Sequence, residues 1–112
     1  MSKIGTIEID GTGLTNGHPP VIITGKIKDG TVCKINGLLS LDKTTGEFEA
    51  YDFTAPSGAA CIALDEITAE TTAARVLLHG TFNADKTVKA DGSAMSAAEL
   101  ASVQANSQIY FV

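Results

Sequence analysis

Residues 59–82 read AACIALDEITAETTAARVLLHGTF. Two apolar runs, Ala59–Leu64 and Ala73–Phe82, flank the polar stretch Asp65–Thr72. Apolar runs of this length, bounded by polar segments and rich in β-branched or aromatic residues, read as buried strands. The polar stretch reads as a turn or a single irregular helical turn, and Gly80 as a break in the second run. Ile62 and Leu77, at the centres of the two runs, are expected core residues. The fold class follows from these two strands: a mainly β chain.

Upstream, the same alternation of strand and turn continues. Val21–Ile27 is β-branched and apolar, and Lys28-Asp29-Gly30 turns the chain. Thr31–Ile35 reads as a further strand, followed by the strong turn signal Asn36-Gly37. Leu38–Leu41 leads into the polar turn Asp42–Gly46, and Glu47–Tyr51 alternates with Phe48 on one face. Thr54–Gly58, which contains Pro56, is a loop. Downstream, Ser96-Ala97-Ala98-Glu99 matches a capping box, with Met95, Leu100 and Val103 on one side and Asn106 as the stop. Ile109–Val112 closes the chain as a last strand. One short helix therefore sits near the end of a β body.

The start of the chain has a different character. Lys3–Asp10 alternates around Ile4, Ile7 and Ile9, as a short extended strand does. It is joined to the body by GTGLTNGHPP, Gly11–Pro20, with three glycines and a closing Pro-Pro elbow. The reading is a flexible N-terminal arm, residues 1–20, followed by a single body, residues 21–112.

Composition limits what this chain does. Leu, Ile, Val and Phe number 28 of 112 residues, enough for a folded core, but 15 alanines and only six aromatics keep that core thin. A thin core favours oligomerisation or docking on a larger surface. Net charge is −5, concentrated in residues 41–70, whose net is −6. This argues against direct nucleic-acid binding, which needs clustered Lys and Arg. No run reaches the ~18 apolar residues of a membrane span.

No convergent catalytic set is legible. His18 and His79 are isolated, Ser57 lacks a G-x-S-x-G context, and Gly11, Gly13 and Gly17 miss the dinucleotide spacing. Asp42, Glu47, Glu49 and Asp52 do not follow an EF-hand, so the acidic run reads as a solvated face. Cys33 and Cys61 stand alone, without CxxC, and read as two buried free thiols, with a disulfide between them as the alternative. The expectation is a non-enzymatic protein with no cofactor and no metal.

From Gly30 onward the order of features resembles the head decoration proteins of lambda-like tailed phages. In that family a G-A-A-x-G-I-L-A strand precedes a variable acidic segment and a V-L-x-x-G-x strand. Gly58-Ala59-Ala60 with Ile62-Ala63-Leu64 corresponds to the first, and Ala74–Gly80 to the second. The short helix and apolar strand of Ser96–Val112 match the family's ending, and Cys61 stands where the family often has Gly. The resemblance implies a β-clip-like body assembled as a homotrimer on the outer capsid surface of the virion, made in the host cytoplasm. It implies binding at three-fold positions of the expanded head, cementing the major capsid protein against DNA pressure. The capsid-binding residues expected on the arm are Lys3, Ile4, Thr6, Ile7 and Ile9, acting by strand addition. The alternatives are a small cytoplasmic ligand-binding β-barrel or enzyme subunit, or a tail or fibre component.

Overall fold

A computed structural model describes residues 20–112. Six strands form one sheet: β1 Val21–Lys26, β2 Leu38–Asp42, β3 Glu47–Ala50, β4 Ala60–Ala63, β5 Ala73–Phe82 and β6 Gln108–Phe111. Their order is β1-β5-β4-β2-β3, with β6 also on β5. All pairings are antiparallel except β5 with β6. The fold is mainly β with one short helix, α1 Ala97–Ala105.

β5 organises the sheet because it is long enough to serve several neighbours. Its first half pairs with β1 on one side and β4 on the other, and its last four residues pair with β6. Successive strand residues point to opposite faces, and both faces are covered. One carries Ile27, Cys33, Leu39, Phe48, Cys61, Ala63, Ile67, Ala74 and Val76. The other carries Leu38, Tyr51, Ala60, Ile62, Leu77, Val103 and Ile109 beneath α1. Ile62 and Leu77, the expected core residues, are both buried.

α1 has the capping box read from the sequence. Ser96 Oγ accepts from the Glu99 N–H at 3.2 Å, and Glu99 Oε1 accepts from the Ser96 N–H at 2.9 Å. Val103 is its buried contact, and Asn106 is the C-cap. The Gln104 side chain then clips β6 to the helix, donating to Ile109 O at 2.7 Å and accepting from Phe111 N–H at 3.1 Å.

Two local expectations are corrected. Thr31–Ile35 is not a strand. Only Cys33 pairs, exchanging backbone bonds with Ile67 at 3.0 and 2.8 Å, while Val32 and Ile35 are exposed. The segment buries one side chain rather than an alternating set, and Asn36 turns it with φ +66°. Nor does Gly80 break β5. It continues the strand at φ +138°, where Pro20 Cα lies 3.2 Å from the position a Cβ would take. Glycine supplies both the conformation and the close approach there. A short 3₁₀ turn at Ala84–Lys86, capped by Asn83, was not legible in the sequence.

Candidate functional site

The sheet curls until its two ends meet along a short seam. Ile27 bridges Phe48 in parallel, and Lys28 N–H donates to Phe48 O at 2.9 Å. Ile27 and Phe48 are both buried. Outside them, Lys26 Nζ lies 3.3 Å from Glu47, and Lys28 Nζ lies 3.1 Å from both Glu49 and Asp42. Lys-Ile-Lys thus matches Glu-Phe-Glu residue for residue.

The electrostatics of the seam are local. Glu49 is held below the usual carboxylate range by a hydrogen bond from Ser57 and then by Lys28. Asp42 is lowered by the Thr44 backbone N–H and then by Lys28. Lys28 is raised by Glu49 and Asp42 in turn. Ser57 also meets buried Ser40, Oγ to Oγ 3.0 Å, and so links the seam to β2.

The acidic run lies at the surface, and most of its carboxylates are ion-paired there. Asp42, Glu47, Glu49, Asp65 and Glu66 all form ion pairs, with Lys28, Lys26, Lys28, Arg75 and Lys34 respectively. Among the described residues no group of three or more His, Cys, Asp or Glu side chains is placed to hold a metal ion.

Above the seam, among the described residues, no strand continues the line of β3 along β1. β3 begins only at Glu47, opposite Lys26, so the first residues of β1 run past the β2–β3 turn. Val21, Ile22 and Ile23 are exposed by 44, 51 and 38%. Beside them β5 carries a bulge: Ile22 faces Leu77 but Val21 faces His79, leaving Leu78 as the extra residue. Leu78 and His79 line a hollow of about 250 Å³ with Leu41, Lys43, residues 58–61 and Gln108.

The lining of this hollow suits it to receiving an apolar group. Among the described residues, its ionisable side chains are His79, Lys43 and Cys61. Burial pushes the Cys61 thiol up to about 12, and the Cys33 thiol likewise, so neither supplies a thiolate near neutral pH. Both cysteines are free and buried, as the sequence reading expected.

The arm residues Lys3, Ile4, Thr6, Ile7 and Ile9, and His18, lie outside the described residues. Sequence reasoning missed both the seam and the exposure of β1. The signal for the seam was present in the complementary alternation of residues 26–28 and 47–49. No protein-family model matches the chain, and no curated protein matches it.

Proposed function

We propose that this chain is a capsid decoration protein of the tailed-phage type. It binds as a homotrimer at the three-fold positions of an expanded head and cements the major capsid protein from the outside. The observation that carries the reading is the order of elements. A buried strand at Ala60–Ala63, a long strand at Ala73–Phe82, a capped helix and a terminal strand follow one another as the resemblance implies. The arm, through Lys3, Ile4, Thr6, Ile7 and Ile9, supplies the capsid contact by strand addition. Three arms on one trimer act together, raising the effective concentration of the second and third contacts.

The test is to mix purified protein with expanded, undecorated heads of a lambda-like phage and image them. Three-fold density of trimer size is the expected result. Heads left bare at saturating protein overturn the reading.

A second reading, a small ligand-binding β-barrel, is favoured by the hollow at Leu41, Cys61 and Leu78. Chemical-shift mapping with small apolar ligands tests it. Shifts confined to Leu41, Gly58–Cys61 and Leu78 would support that reading over the first.

A further inference from the structure

Two consecutive backbone N–H groups leave the end of β1 in opposite directions. Ile27 donates to Thr72 O at 2.9 Å, and Lys28 donates across the seam to Phe48 O at 2.9 Å. We propose that the seam is an acid-sensitive latch: when the ion pairs across it are neutralised, β3 and the turn before it swing away from β1 while the rest of the fold stays intact.

The moving part follows from how each strand is held. β1 is paired to β5 along its whole length, from Val21 to Lys26. β2 is paired to both β3 and β4. β3 has four residues, is paired to β2 on one side, and meets Ile27 and Lys28 on the other. The turn that leads into it is closed by Gly46 N–H on Asp42 O at 2.7 Å, with Gly46 at φ +74°. A short element held by few long-range bonds opens at lower free energy than the whole fold.

Two kinds of contact keep it shut. Buried Ile27 and Phe48 make the closed form the ground state. Around them, Lys26 meets Glu47, and Lys28 meets Glu49 and Asp42. The three carboxylates are only 20, 30 and 19% exposed, so salt screens them less than it would open surface charges. Asp42 has two tasks: Oδ1 accepts the Thr44 N–H at 2.9 Å and holds the turn, while Oδ2 accepts Lys28 at 3.1 Å and holds the seam. Protonating Asp42 therefore loosens turn and seam together. Ser57 is the uncharged partner of Glu49, and Lys43 is the other charged side chain of the turn.

The sign follows from the direction of the shifts. Glu49 and Asp42 are both held below the usual carboxylate range. Their contribution is complete above the unfolded values, ~3.9–4.3, and is lost as pH falls through the lower folded ones. Opening becomes more frequent below pH ~4.

Amide exchange of the full chain tests the latch, with protection referred to the unstructured chain at each pH. From pH ~7 to ~3 the Lys28 amide should lose protection by about 5-fold or more, the worth of one or two half-shielded pairs. The Ile27 and Val76 amides should hold theirs. Loss at all three together is global unfolding and overturns the proposal, as does constant protection at Lys28. A chain with Asp42→Asn, Glu47→Gln and Glu49→Gln, which keeps the shapes and removes the charges, gives the second measurement. At neutral pH its Lys28 amide should already exchange as the unaltered chain does in acid, with no further change as pH falls. Unaltered Lys28 protection in this variant overturns the latch.

Discussion

The ring of Phe48 lies directly against the backbone of Gly25, so that a Cβ on Gly25 would stand 2.6 Å from Phe48 Cδ2. This contact lets β1 approach β3 and close the sheet just above the Ile27–Phe48 bridge. Gly25→Ala should destabilise the protein by about 1–3 kcal/mol, the usual cost of overpacking a well-filled site. Urea unfolding measures it. A Gly25→Ala, Phe48→Leu double variant, which makes room for the added methyl, should cost less than the two single changes together.

Ile62 and Leu77 face each other across β4 and β5, both buried beneath α1. Ile62→Ala or Leu77→Ala should each cost about 2–5 kcal/mol, since each leaves a cavity as well as losing burial. Chemical denaturation should show a lower midpoint with an unchanged slope.

Asp65 receives Arg75 through Nη2 at 2.8 Å, Nε at 3.2 Å and the backbone N–H at 2.9 Å. The guanidinium hydrogen bonds come first in lowering its carboxyl to about 2. A group whose folded pKa is depressed stabilises the fold above its unfolded value, ~3.9, and loses that contribution as pH falls toward the folded value. The Asp65 contribution should therefore fade from pH ~4 down to about 2 and be flat above pH 5. Carbon-detected titration of Arg75→Ala should show the Asp65 midpoint moving upward.

Ser96→Ala removes the acceptor for the Glu99 N–H and breaks the reciprocal box. The expected loss is about 1 kcal/mol. Because Gln104 ties α1 to β6, amide exchange should rise at Ile109 and Phe111 as well as in the first helical turn.

Deleting Met1–Asp10 should leave the body folded while capsid co-sedimentation falls by about two orders of magnitude or more, because three arms are lost at once. Thermal melting beside the binding assay separates the two effects. Full binding by the truncated protein would remove the arm from the mechanism. Raising the salt should weaken the intact protein's binding only modestly, as expected for backbone pairing and isoleucine burial.

Short-range signals were readable wherever the outcome depends on neighbours in sequence. The Ser96–Glu99 box, the Asp42–Gly46 turn and the span of Ala73–Phe82 each follow from local hydrogen bonding or apolar periodicity, and the structure has them at those positions. Ile62 and Leu77 sit at the centres of their two apolar runs, and both are buried.

Other features depend on which strands meet. Thr31–Ile35 is as β-branched as a strand should be, yet only Cys33 of this segment forms a β-bridge, to Ile67, and the chain then turns at Asn36. Val21–Ile23 has core composition but stands exposed, because β3 starts too late to cover it. Nothing in the sequence pairs Asp42, Glu47 and Glu49 with particular cations; the curl of the sheet brings Lys26 and Lys28 to them across the seam. Sequence by itself determined the elements, since propensity, capping and periodicity act over a few residues. Only the tertiary structure decided which strand ends met and which charges were paired, because those depend on contacts between residues far apart in the chain.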